Sequence, residues 1–120
     1  MNDIVVKRIQ PLDEDIFEEW TRETDDEDIL GVGASKIKGE WTWQIFISVA
    51  EFIRSEPLES ELDQSIYDAL AAVPGVTAVV HEDREVWVIQ GTPKGEDLVR
   101  ACSKAVDRLS ESNRKAIEAL

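Results

Sequence analysis

Cysteine and histidine are scarce in this chain, which has one residue of each, Cys102 and His81. A single cysteine cannot form an internal disulfide, which is compatible with a reducing compartment. The sequence also lacks an apolar run that approaches the roughly 18 residues of a membrane span. Its first residues lead directly into polar sequence rather than into a signal peptide. We therefore expect a cytoplasmic protein.

Basic residues are few as well, with 13 Lys and Arg against 26 Asp and Glu and a formal net charge of −13. Nucleic acid is not expected as a partner, because phosphate binding draws most of its free energy from Lys and Arg that displace counterions. An anionic membrane surface is disfavoured for the same reason.

Motifs for cofactors and metals are also absent. The segment Gly31-Val32-Gly33-Ala34-Ser35-Lys36 lacks both the third glycine of the dinucleotide fingerprint and the Gly-Lys-Ser/Thr of a P-loop. The run Asp25-Asp26-Glu27-Asp28 resembles a calcium loop, but Leu30 stands where such a loop requires glycine. We predict no cofactor, no dedicated metal site and no catalytic constellation.

The run from Trp41 to Leu109 is the most regular part of the sequence. Trp41 to Val49 alternates apolar and more polar residues, which predicts a strand. Apolar residues at helical spacing then predict a helix that Pro74-Gly75 ends. Two extended runs separated by Glu82-Asp83-Arg84 predict an antiparallel hairpin. Gly91-Thr92-Pro93 ends it, and a second amphipathic helix carries the apolar stripe Leu98, Ala101, Cys102, Ala105, Val106 and Leu109.

This stretch, about half of the chain, resembles a ferredoxin-like α/β plait and in detail the heavy-metal-associated domain. Pro74-Gly75-Val76 and Gly91 match the Pro-Gly-Val and closing glycine of that family. The family's Cys-x-x-Cys is replaced by Ser55-Glu56-Pro57-Leu58, so the resemblance implies a fold and no metal transport.

The N-terminal portion must complete the sheet, because nothing after Leu109 is typical of a fourth plait strand. Ile4-Val5-Val6 and Ile29 to Ile37 are candidate strands. Between them, Asp13 as N-cap and Ile16, Phe17 and Trp20 as a buried face predict a helix. The expected fold is an α+β two-layer sandwich, with a mostly antiparallel sheet, helices on one face and the order β-α-β-β-α-β-β-α.

We expect one domain over 1–120, as the 42% hydrophobic content suffices for a core. Within it we distinguish an acidic N-terminal β-α-β portion (1–40), a plait-like β-α-β-β-α core (41–110) and a helical tail (111–120).

The segment from Asp13 to Asp28 carries ten acidic residues, and Arg22 is the only basic residue within it. We call this segment the acidic run. One reading is a solvated, solubilising surface. The other is a docking surface for a basic protein, in which long-range attraction speeds association. Trp20 is a candidate interface anchor beside it. The predicted partner-binding residues are Glu18, Glu19, Trp20, Glu23, Asp25, Asp26, Glu27 and Asp28.

The tryptophans supply an alternative hypothesis. Trp43, His81 and Trp87 could line a ligand pocket on the sheet, although aromatic residues in strand patterns more often belong to a core. The alternative function is therefore a small-molecule-binding domain or small enzyme with an aromatic-lined sheet face.

The function that we favour is a non-enzymatic protein-protein interaction module. Size, charge and predicted element order are loosely similar to those of secretion chaperones, and toxin-neutralising immunity proteins are also small and acidic. An unpaired sheet edge would additionally permit a homodimer, provided that it forms far from the acidic run.

Overall fold

The computed structural model describes residues 4–25, 27–39, 41–51 and 58–118, with side chains given as far as Ser112. Within these ranges the chain forms six strands and two helices, in the order β-β-β-β-α-β-β-α. The predicted α+β class is confirmed. The elements are β1 (Val5–Ile9), β2 (Ile16–Glu23), β3 (Ile29–Ile37), β4 (Trp43–Val49), α1 (Leu58–Ala71), β5 (Val76–Asp83), β6 (Val86–Gly91) and α2 (Gly95–Glu118).

All six strands form one antiparallel sheet in the order β1-β2-β3-β4-β6-β5. The first four strands are a meander, in which each strand pairs with the next one along the chain. After β4 the chain forms α1 and returns at the far edge as β5, and β6 then inserts between β5 and β4. The predicted plait lacked a strand on one side of β4. The candidate strand Ile29 to Ile37 occupies this position as β3.

The predicted helix over Asp13 to Trp20 is wrong, because residues 16–23 form the strand β2. Asp13 does act as a local cap, but of a turn: its Oδ1 accepts the Asp15 N–H at 2.9 Å, and its carbonyl accepts the Ile16 N–H at 3.1 Å. Aspartate favours turns and helix starts by the same side-chain hydrogen bond. The strand prevails here because β2 has a partner on each side, β1 and β3.

The apolar spacing of this segment was misleading because β2 contains a bulge. Ile16 pairs with Ile37 and Glu18 pairs with Lys36, so Phe17 is an extra residue. The bulge, together with the polar residues Glu18 and Arg22 on the same face as Trp20, leaves an apolar spacing that also fits a helix.

The core lies between the sheet and the two helices, which both pack on the same face. Val32, Ala34, Ile45, Ile47, Trp87 and Ile89 point from the sheet into this layer and are at most 2% exposed. The helices contribute Leu62, Ile66 and Leu70 from α1 and Leu98, Val99, Cys102 and Val106 from α2. The predicted apolar stripes of both helices are therefore confirmed.

The opposite face of the sheet carries the alternate residues. Phe46 and Val80 lie on it and are 46% and 43% exposed. We call it the open face, because both described helices pack on the other side.

Two glycines with positive φ join the ends of α1 and β6. Gly75 (φ 94°) follows α1, and Gly91 (φ 120°) ends β6. The Thr92 N–H donates to the Gly75 carbonyl at 2.9 Å. A side chain at Gly91 would overlap the Gly75 carbonyl oxygen, so this close approach requires glycine.

Membrane insertion through a helix finds no support in the described residues, since none of their helices is both long and apolar enough to cross a bilayer.

Candidate functional site

The predicted partner-binding residues of β2 are divided between the two faces of the sheet. Trp20 pairs with the buried Ala34, so Trp20 and Glu18 lie on the face that the helices cover. Glu19 and Glu23 lie on the open face, where Glu19 accepts a hydrogen bond from Ser35 Oγ at 3.2 Å. A helix would have placed these acids on one surface, whereas a strand places successive residues on opposite faces of the sheet.

Trp20 packs against the hydrophobic core at the first turn of α2. Its Nε1 donates to Glu18 Oε1 at 2.6 Å, and its ring adjoins Gly95. Trp20 is thus half-buried, and Glu18 is engaged in satisfying its indole nitrogen.

The described acids that remain, Asp25, Glu27 and Asp28, lie at one end of the sheet, in the connection between β2 and β3. Asp25 and Glu27 are exposed, Asp28 is half-buried, and Asp26 lies outside the described residues. The Asp28 carbonyl accepts the Ala50 N–H at 2.8 Å, and its Oδ2 lies 3.4 Å from Ser110 Oγ. The connection is therefore joined to the end of β4 and to α2.

The hairpin between β5 and β6 reaches the same end of the sheet. Its Glu85 carbonyl accepts the Ile47 N–H of β4 at 2.9 Å. Acids from three chain segments therefore lie at the same end of the sheet, and we call this set the acidic end. It comprises Asp25, Glu27, Asp28, Glu51, Glu82, Asp83 and Glu85.

Arg84 is the cation of this hairpin and is paired on two sides. Its Nε lies 3.1 Å from Glu59 Oε1, and its Nη1 lies 3.3 Å from Glu51 Oε1. The hydrogen bond with Glu59 raises the pKa of the Arg84 guanidinium, and the charge of Glu51 acts in the same direction. Arg84 therefore stays positively charged and neutralises part of the acidic end.

His81 and Trp87, two of the three predicted pocket residues, form a ring stack. Their ring centroids are 4.0 Å apart and their planes differ by 8°. His81 Nδ1 lies 3.9 Å from Asp63 Oδ2, which is longer than a hydrogen bond. Its Nε2 lies 3.3 Å from the Arg84 carbonyl oxygen. The stack lies within the hairpin, because His81 of β5 and Trp87 of β6 are cross-strand partners.

The third pocket residue, Trp43, is buried elsewhere in the same layer, beside Gly95 and Lys36. Trp43 and Trp87 are only 3% and 2% exposed. Two surface cavities, of about 670 Å³ between α1 and α2 and about 810 Å³ at the β1–β2 turn, are lined by other residues. The indole rings thus pack as core residues.

Cys102 is fully buried among apolar side chains, and this burial raises the pKa of its thiol. Its thiol is therefore neutral and inaccessible, as for a small apolar core residue. Among the described residues, no three His, Cys, Asp or Glu side chains are grouped in a way that could hold a metal ion.

The place of the hairpin acids in the acidic end is not evident from the acidic residues of the sequence alone. Glu82, Asp83 and Glu85 are about 55 residues from the β2–β3 connection, and only the antiparallel order of the sheet brings them to the same end. The predicted hairpin was the available signal. If β4 lies between β3 and β6, the turn of the β5–β6 hairpin and the β2–β3 connection are at the same end of the sheet.

Comparison of this chain with protein-family models, with curated proteins and with solved structures finds no match.

Proposed function

We propose that this chain is a non-enzymatic protein-binding module and that its acidic end docks a basic partner protein. The observation that carries the proposal is that seven acidic residues from three segments lie at one end of the sheet, with Arg84 already paired to two acids. Asp25, Glu27, Glu82 and Asp83 are exposed to solvent.

A concentrated negative surface of this kind favours basic partners for a physical reason. Clustered charges of one sign attract an oppositely charged protein over a distance of several ångströms and raise its association rate by about 10 to 1,000 fold. Attraction of this type weakens as salt screens it. The net charge of −13 has the opposite effect on nucleic acids, which it repels.

The burial of Cys102, Trp43 and Trp87 supports the non-enzymatic part of the proposal. Cys102 is enclosed in the core, and Trp43 and Trp87 fill space beneath the helices. His81 is exposed, and its ring stacks on that of Trp87.

The order of the C-terminal elements supports a second, structural proposal. β4, α1, β5, β6 and α2, with β6 between β4 and β5, have the order expected of a ferredoxin-like plait. We propose that β3 occupies the place of its fourth strand.

The test of the function is affinity capture of the tagged chain from lysate of its own source at low salt, followed by a salt step. We expect one stoichiometric basic protein in the salt eluate. A variant with Asp25→Lys, Glu27→Lys and Glu82→Lys should lose this protein, because it replaces exposed acids on both sides of the acidic end.

The matched control changes the charge equally at other places, with Glu14→Lys, Glu61→Lys and Asp97→Lys, all at exposed positions. It should retain the partner. If both variants retain the partner equally, the acidic end is not its binding surface. If the wild type recovers no other protein, the proposal of a basic partner is wrong.

A further inference from the structure

The two edges of the sheet differ in how they are protected. β1 and β5 are the edge strands, and in the part of the chain that the structure describes each pairs on one side only. An edge strand presents unpaired backbone N–H and C=O groups that can pair with another strand.

The β1 edge carries the usual protection against such pairing. Lys7 and Arg8 occupy the middle of this five-residue strand. In addition, Arg100 Nη1 donates to the Ile4 carbonyl at 2.7 Å just before the strand begins. Charged side chains and an occupied backbone group both hinder the addition of a further strand.

The β5 edge lacks this protection over its middle. From Thr77 to His81 it contains no Lys, Arg, Asp, Glu or Pro, and Glu82 and Asp83 follow only at its end. Its register irregularities lie near its ends, between Val76 and Ala78 and between His81 and Asp83.

Exposed apolar side chains lie on both sides of this edge. Val80 is 43% exposed on the open face. On the helix side, Tyr67 of α1 is 45% exposed. Tyr67 follows Asp63 and Glu59 at intervals of four residues, and these two acids face His81 and Arg84 of the hairpin. Residues four apart share a helix face, so Tyr67 is on the side of α1 that faces β5.

We propose that β5 pairs antiparallel with β5 of a second copy of this chain, with the two-fold axis at Val79. This register places Val80 opposite Ala78 of the other copy and Asp83 opposite its Gly75. It joins two six-stranded sheets into one and pairs the edge of β5 that has no neighbouring strand among the described residues. The dimer is independent of the proposed basic partner.

Charge favours β5 over β1 as the dimer edge, although the net charge of −13 opposes association in general. In the antiparallel register the two Asp83 residues are eight residues apart along the strand direction, or about 26 Å at 3.3 Å per residue. The screening length at physiological salt is about 8 Å. A β1 pair centred on Lys7 would instead place lysine opposite lysine, which is destabilising.

The first test is sedimentation equilibrium of the full chain over a wide concentration range at physiological salt. The wild type should be a dimer at high concentration, and Val80→Lys should weaken it about tenfold or more, because the change occurs twice in the interface. The matched control is Val5→Lys, which adds the same charge at a similarly exposed valine (50%) on the other edge strand. It should leave dimerisation unchanged.

The second test fixes the register and does not depend on a charged variant. Directly opposed antiparallel residues have Cα atoms about 4.5 to 5.5 Å apart, which is within the range of a disulfide. Under mild oxidation, Val79→Cys should therefore give a covalent dimer and Val5→Cys should not. Buried Cys102 should not compete.

A wild type that stays monomeric at the highest concentration would overturn the proposal. Equal effects of the two lysine variants would also overturn it, as would failure of Val79→Cys to cross-link. The salt dependence separates this proposal from the proposed function, because screening should strengthen a dimer of like-charged chains and weaken a complex with a basic protein.

Discussion

Replacement of Gly95 by alanine should destabilise this protein, although the same change stabilises most helices. Gly95 is buried at the start of α2. A Cβ atom there would lie 2.5 Å from Trp20 Cδ1, 2.5 Å from Trp43 Cη2 and 2.8 Å from Trp43 Cζ3. Such distances are far below a carbon-carbon contact, so the two rings or the helix would have to move.

The magnitude follows from two opposed effects. Alanine in place of glycine favours a helix by about 1 kcal/mol. Overpacking in a dense core costs up to about 3 kcal/mol, and here both rings belong to or pack against the core. The net loss is about 2 kcal/mol. For 120 residues the unfolding entropy is about 0.25 kcal/mol/K, so the melting temperature should fall by about 8 °C.

The assay is thermal unfolding followed by far-ultraviolet circular dichroism, with Gly31→Ala as the control. A Cβ at Gly31 would meet only Phe46 Cε1, at an ordinary 3.8 Å. This variant should therefore be neutral or slightly stabilised, since glycine weakens a strand. An unchanged or raised melting temperature for Gly95→Ala would refute the assigned packing of α2 on the two tryptophans.

Three further predictions concern other parts of the core. Asp107→Ala should cost about 2 to 3 kcal/mol in urea unfolding, because Arg22, whose side chain is 9% exposed, would lose the carboxylate that faces it at 2.8 and 3.1 Å. The pair Arg22→Met with Asp107→Leu should recover most of that loss. Because burial raises the thiol pKa, Cys102 should resist maleimide labelling up to about pH 9 and react on unfolding. Gly91→Ala should cost about 3 kcal/mol or more, measured in the same way, because it combines a positive φ with overlap of the Gly75 carbonyl.

The elements of the C-terminal part could be predicted because several local signals agree there. The apolar stripes of α1 and α2 and the hairpin turn all indicate the same structure, and α1 ends at Ala71, shortly before the predicted stop at Pro74-Gly75. Strand β2 could not be predicted, because its type depends on pairing with β1 and β3 and not on its own spacing. The alternation that would have revealed it is absent, because Phe17 is a bulge residue and because Glu18 and Arg22 share the helix-covered face with Trp20.

The candidate site was predictable only in part for the same reason. The acids of the β2–β3 connection are visible in the sequence as a run. Their association with Glu82 and Glu85 depends on β6 lying beside β4, which is a contact between distant segments. Conversely, the separation of Glu18 from Glu19 onto two faces follows directly from the strand and could not be foreseen from a helix.

The central position of β4 also determines how the molecule should open. Its residues Ile45 and Ile47 are completely buried, and its two neighbours, β3 and β6, come from the two halves of the chain. Neither half can release β4 without exposing the apolar layer of the other. Native-state hydrogen exchange should therefore be slowest for the amides of β4, where only global unfolding permits exchange, and fastest for those of β1, which can separate from β2 alone.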